Sequence, residues 1–295
     1  LNASAAVPAE IRALLACPDC GAGLDAGDGA LACRGPETHR FASADSFVTF
    51  ARPDVGKYDP AYAARYAALW AFGYETLHSG ADEPLYRAVS SLAAEALAGV
   101  AATGDGRPVV IDAGCGVGRM LRDAATLAPA ATVLGFDGSL AMLELARAIV
   151  RSEEPVAVDL SAYGFGELHV PPRPCPGVHL FRADVERLPV ADGVADLVLC
   201  VNTIDRLPHG PDRTLAEAHR SLRPGGTLVF TDPLNWTTRE AWQRHPDAAS
   251  ILAVLETVGF EVKTWFDDLL YHELLDARGS VEEFRTLVVA GRKEV

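Results

Sequence analysis

Apolar runs alternate with amphipathic stretches across most of the chain's second half. Runs at 108–113, 132–137, 178–182, 195–201 and 226–231 have the length and composition of buried strands. Between and after them, 117–128, 139–150, 213–223 and 237–258 carry apolar residues at helical spacing. This βαβα rhythm predicts an α/β fold with a parallel sheet and helices on both faces. The end departs from it. EVKTWF (261–266) and FRTLVVAGR (284–292) read as two strands with no helix between them, which predicts an antiparallel pair at the sheet edge.

The first hundred residues are patterned differently. PAEIRALLA (8–16) reads as a short helix, and 17–50 as a turn-rich, β-rich knuckle containing three cysteines. Arg52-Pro53 to Gly56 reads as a linker. Tyr58, Tyr62, Tyr66, Trp70 and Tyr74 then recur every fourth residue, and a second helix is predicted over 82–99. The organisation expected is a knuckle (1–50), a helical linker or lid (51–104) and a main domain (105–295). Residues 151–177, rich in proline around SAYGFG, form an insertion within the main domain; loops that long are usually functional.

Composition narrows the classes. A chain of 295 residues that is 49% hydrophobic can bury a sizeable core. A formal net charge of −14 disfavours a nucleic-acid partner. No run of 18 apolar residues suggests a membrane span, and the N-terminal stretch does not read as a secretory signal. Cys17, Cys20 and Cys33 cluster, whereas Cys115, Cys175 and Cys200 are scattered. In a chain with this much core, that pattern suits a cytoplasmic metal protein better than a disulfide scaffold.

The most informative stretch is VVIDAGCGVGRM (109–120). Its glycines, Gly114, Gly116 and Gly118, alternate, so it fits neither a dinucleotide fingerprint nor a phosphate loop ending in Gly-Lys-Ser/Thr. Asp112 would repel a phosphate but suits an ammonium group. Glycines allow close backbone approach, and the following helix N-terminus can receive a carboxylate. These features describe a site for an amino acid moiety. Asp137, ending the next strand, is placed to grip both hydroxyls of a ribose. Asp184, after the third strand, is placed to accept from an adenine amine. Amino acid, ribose and adenine together make S-adenosylmethionine (SAM).

The motifs D-A-G-C-G-V-G, F-D-G-S-x-x-M-L, A-D-V-E-R-L-P and L-R-P-G-G-T-L-V-F, in that order, resemble those of the class I SAM-dependent methyltransferases over roughly 105–292. The resemblance implies a Rossmann-like seven-stranded sheet with an antiparallel last strand. It implies Asp112 and the glycine loop at the methionine end, Asp137 on the ribose, Met142 against the adenine face, Asp184 at the adenine amine, and Asn202 facing the methyl donor and the acceptor. Met142 reads equally as a core residue, and Cys115 reads as a small packing residue.

The N-terminal Cys17-Pro-Asp-Cys20, Cys33 and His39 suit a closed tetrahedral zinc site, which would be structural. Asp19 or water are alternative fourth ligands, and a redox C-x-x-C is the rival reading. A zinc knuckle ahead of a class I domain resembles the layout of the large-subunit ribosomal RNA guanine methyltransferases. However, six acids against three arginines in residues 1–50 are poor for binding RNA.

The aromatic row reads either as a packing face or as a lid that brings Tyr58 or Tyr66 to the methionine end. Tyr163 and Phe165 of the insertion are expected to close the other side. His209, Tyr271 and His272 are candidate bases, needed only where the acceptor must lose a proton. The expected function is methyl transfer to a small molecule in specialised metabolism. The alternatives are an rRNA or tRNA base methyltransferase, and a non-methylating cyclase or partner subunit on the same fold. The sheet edges and aromatic helix allow an oligomer or partner subunit without demanding one.

Overall fold

A computed structural model describes residues 7–27, 29–44, 47–50, 67–71, 73, 83–103, 106–207 and 210–294. Its centre is a seven-stranded sheet. Chain order runs β5 (Val109–Ala113), β6 (Thr132–Asp137), β9 (Val178–Arg182), β10 (Ala195–Val201), β11 (Leu222–Asp232), β12 (Phe260–Leu274) and β13 (Val281–Lys293). Spatial order is β12-β13-β11-β10-β5-β6-β9. Only β13 runs antiparallel to its neighbours β11 and β12. The strand order therefore reverses between β5 and β10, the kind of position where α/β sheets bind ligands beyond their carboxyl ends.

Strand alternation separates two cores. Ile111, Ala113, Leu134 and Phe136 face a cluster that includes Leu215, Ile251 and Leu255 of helices α5 (Pro211–Ser221) and α7 (Ala248–Val258). Val110 and Val133 face the opposite cluster, with α2 (Pro84–Thr103), α3 (Arg119–Leu127) and α4 (Leu140–Arg151). All six residues of β6 are buried, as expected of a strand covered on both faces.

Three local expectations need correction. The helix expected over 237–258 is two helices, α6 (Arg239–Arg244) and α7. Pro246 disfavours a helical His245 and offers no amide, and Asp247 restarts the helix by accepting from the Ser250 amide in a capping box. The helix at 8–16 shrinks to α1 (Ala9–Arg12), because Leu15 and Ala16 pair with Val190 and Gly23 instead. The insertion is an ordered hairpin, β7 (Val156–Asp159) against β8 (Glu167–Val170). Its Val158, Leu160, Tyr163 and Val170 pack with Met142 and Ile149 of α4.

The knuckle is a four-stranded antiparallel sheet, β1 (Leu24–Gly27), β2 (Ala30–Cys33), β3 (Arg40–Ala44) and β4 (Phe47–Val48). It docks beside edge strand β9, where Thr49 bridges Arg182. Leu15, Leu31, Phe41 and Phe50 join the same hydrophobic cluster as Phe136 and Phe181 of the main sheet. Among the described residues, no helix is long and apolar enough to cross a membrane.

Candidate active site and metal centre

A cavity opens where β5, β6 and β10 end. Its lining includes Asp112, Gly114, Gly116, Asp137, Met142 and Asn202, which brings together six of the residues singled out from the sequence.

The glycine loop follows from local sterics. Gly114 has φ +84°, and a Cβ there would lie 2.3 Å from Thr203 Oγ1. Gly116 has φ +50°, and a Cβ there would meet nothing within 4 Å among the described residues, so there is open space beside the loop. The Gly116 amide donates to Asp137 Oδ2 at 2.9 Å, and the Ser139 amide donates to Asp137 Oδ1 at 2.7 Å. These bonds fix the Asp137 carboxylate; each oxygen keeps acceptor capacity for a further hydroxyl. Gly118 caps the start of α3 without lining the cavity.

Asp112 is 2% exposed, and its Oδ2 is buried without a hydrogen-bond partner among the described residues. Burial, reinforced by the nearby Asp137 charge, pushes its carboxyl up to about 8. A buried carboxylate left this way calls for a cationic ligand group. Asn202 is similarly poised. It takes the unusual φ of +49°, its Oδ1 accepts from the Thr231 hydroxyl at 2.9 Å, and its Nδ2 is buried without a partner among the described residues. Asp232 holds this turn, accepting from the Ile204, Asp205 and Leu234 amides.

The far wall is aromatic. Trp70, Tyr86, Tyr271 and Phe284 line it, with Tyr86 edge-on to Tyr271 and Phe284 stacked on Tyr271. Glu273, two residues beyond Tyr271 on β12, reaches the same wall. Its carboxyl is pushed up by burial against the opposing pull of hydrogen bonds from Tyr271 and Trp70. Sequence reasoning missed Glu273; the signal was the period-two spacing Tyr271-x-Glu273 in a strand. It did not single out Arg119, Thr203 or Arg206, although Arg119 follows the glycine loop and the other two lie in NTIDRLPH (202–209), a post-strand segment expected to ring the methyl group.

Other expected residues lie elsewhere. Asp184 is not in the lining; its Oδ1 accepts from the Glu186 amide at 2.9 Å. His272 is also outside it, with its ring between Glu83 (3.6 Å) and Glu283 (3.3 Å), because neighbouring strand residues point to opposite faces. Tyr163 and Phe165 do not line it either; the hairpin packs behind Met142. Tyr58, Tyr62, Tyr66, Tyr74 and His209 lie outside the described residues, as does the linker at 52–56.

The ligand atoms of Cys17, Cys20, Cys33 and His39 all lie within 4.8 Å of one another. Cys17 Sγ is 3.4 Å from His39 Nδ1, and Cys20 Sγ is 3.2 Å from Cys33 Sγ. Three thiolates and an imidazole at these separations fit one tetrahedral zinc ion. His39 turns Nδ1 inward, while its Nε2 lies 3.6 Å from Glu37, the outer carboxylate typical of metal-bound histidine. The Gly35 amide donates to Cys33 Sγ at 3.1 Å. A Cβ on Gly35 would sit 2.9 Å from Cys20 Sγ, so the turn needs glycine.

Residues 111–230 match the family model described as a methyltransferase domain. An uncharacterized transposon-encoded protein of Streptomyces fradiae is 34% identical over 134 residues, covering 44% of this chain and 32% of that protein. The trans-aconitate 2-methyltransferase of Deinococcus radiodurans is 32% identical over 126 residues, covering 43% and 38%. The chain thus spans about a third of the length of the curated relatives it matches. Among solved structures, a chain from the complex of the Haloferax volcanii Trm112 methyltransferase activator with a methyltransferase superposes with a TM-score of 0.52. It is 17% identical and covers 79% of this chain and 98% of its own, a likeness of fold. Sheet order and glycine loop agree with the match of residues 111–230 to the methyltransferase-domain family.

Proposed function

We propose that this protein transfers the methyl group of SAM to a small-molecule acceptor. The observation that carries the reading is the buried Asp112 Oδ2, without a hydrogen-bond partner among the described residues, beside the Asp137-pinned glycine loop. In this reading Asp112 receives the ammonium of the methionine end, and the Asn202 amide points to that end or to the acceptor. Asp137 takes the ribose hydroxyls and Met142 packs on the adenine; Asp184, although outside the cavity lining, is proposed to accept from the adenine amine. The cofactor supplies a methyl carbon activated by a sulfonium. The chain's own work is positioning and exclusion of water, and the aromatic wall suits both.

The wall also offers a proton acceptor. Glu273, held by Tyr271 and Trp70, would take a proton from an acceptor hydroxyl or amine. Tyr271 shares that role, while His272 is occupied by Glu83 and Glu283. On the sequence reading alone, His209 is proposed as a base and Tyr58 and Tyr66 as lid residues at the methionine end. The relatives support a small acceptor, since one is named for trans-aconitate and another for arsenite. In the knuckle, Cys17, Cys20, Cys33 and His39 would hold one structural zinc, leaving no coordination position for chemistry.

The test is conversion of SAM to S-adenosylhomocysteine across a panel of small organic acids, amines and phenols. Turnover with at least one acceptor, lost in Asp137→Ala, supports the reading. Turnover only with structured RNA would replace the small acceptor with a nucleic acid.

A further inference from the structure

None of the four knuckle ligands lines the cavity, yet a run of contacts joins the two. Asp19, inside the Cys17–Cys20 turn, faces Arg187 with Oδ1 to Nη1 at 3.3 Å. The Ala16 amide donates to the Pro189 carbonyl at 3.0 Å, and the Ala191 amide donates to the Leu14 carbonyl at 3.0 Å. At the knuckle's other end, the Phe50 amide donates to the Arg182 carbonyl at 2.7 Å. The Phe50 ring lies 6.1 Å from Phe181, which stacks on Phe136 at 5.6 Å.

The knuckle therefore grips both ends of segment 182–191, which contains Asp184. The same segment is tied to the turn that holds the ribose carboxylate. The Ala183 amide donates to the Asp137 carbonyl at 3.0 Å, and Arg182 Nε donates to the Gly138 carbonyl at 3.1 Å.

We infer that the metal-bound knuckle is a positioning brace for the adenosine half of the cofactor site. The inference rests on the cofactor reading given above. Strands of two to five residues bury too little to stand without a cross-link, so the metal holds them in place. With the metal gone, Asp19 and Phe50 lose their fixed positions, and segment 182–191 must be ordered by the ligand itself. That ordering weakens binding without removing any direct ligand contact. An acid-rich knuckle suits an internal brace better than an RNA platform.

Calorimetric titration of the full chain with S-adenosylhomocysteine and with 5′-methylthioadenosine, before and after zinc chelation, tests this. The second ligand lacks the amino acid end. Chelation should weaken both by about tenfold, a usual size for coupling between linked sites. Zinc should restore them, and hydrogen exchange should quicken across 182–191. Phe50→Leu with zinc bound should give a smaller loss of the same kind. Should chelation also melt the main sheet, seen by circular dichroism, Phe50→Leu carries the test alone. Unchanged affinities in folded, metal-free protein, or in Phe50→Leu, would overturn the brace. Failure of the zinc-loaded wild type to bind either ligand would remove the cofactor reading and the inference with it.

Discussion

The Gly116 amide donates to Oδ2 of Asp137 at 2.9 Å, joining the glycine loop to the end of β6. One bond thus sets the distance between the two groups read as holding the methionine and ribose ends of the cofactor. The other sequence-predicted cavity residues are arranged around it.

Asp112→Asn should weaken SAM binding on the order of 100-fold, because a buried charge partner is lost. The same change should raise the stability of the ligand-free protein. The folded-state value of Asp112, about 8, lies above the ordinary 3.8. Between those values the folded state holds a proton that the unfolded chain has released, so stability falls as pH rises through that window. Asparagine escapes the penalty. At neutral pH its Tm should exceed that of the wild type, by about 2–4 °C per kcal/mol relieved in a chain of this size. Calorimetric melting at pH 4 and pH 8 checks the sign: the gain should be larger at pH 8.

Binding itself should be proton-linked. A ligand ammonium that ionises Asp112 displaces its proton, so SAM affinity should rise with pH up to about 8. Titrations in buffers of different ionisation enthalpy should show proton release near pH 7, and none in Asp112→Asn.

Gly114→Ala combines a positive φ with a Cβ 2.3 Å from Thr203 Oγ1. Backbone strain alone costs about 1–3 kcal/mol, and the clash adds to it. Urea unfolding should show the loss. Thr203→Gly in the same chain should recover the steric part and leave the strain.

Glu273→Gln should leave S-adenosylhomocysteine affinity near the wild-type value and lower kcat by about 10²–10⁴-fold, where the acceptor must lose a proton. Equal loss in affinity and turnover would make Glu273 a cofactor-binding residue instead.

In the knuckle, Gly35→Ala pushes a Cβ against Cys20 Sγ and should weaken zinc retention against a chelator. Cobalt substituted for zinc should give the visible spectrum of a tetrahedral thiolate site, altered in His39→Ala.

The sheet was legible in the sequence because each central strand is an apolar run covered on both faces, as in β6. The cavity residues Asp112 and Asp137 were legible because a site at strand ends places its residues at fixed steps past each run. Pro246 was equally visible, yet a long apolar period through 237–258 hid the break it makes. Glu273 shares a strand face with Tyr271 by period-two spacing, but which face of β12 meets the cavity is decided by its pairing with β13, which the sequence does not display. The knuckle's apolar residues were visible, but its docking on β9 also uses backbone bonds such as Phe50 to Arg182, which leave no side-chain pattern to name the partner strand.

The most direct test of the cofactor site is calorimetric titration of zinc-loaded protein with S-adenosylhomocysteine, comparing wild type with Asp137→Ala. Saturable one-to-one binding, weakened tenfold or more in the variant as expected for lost charge-assisted hydrogen bonds, is the predicted result. No binding by folded, zinc-loaded wild type, or equal binding by the variant, would contradict the assignment of this cavity to SAM.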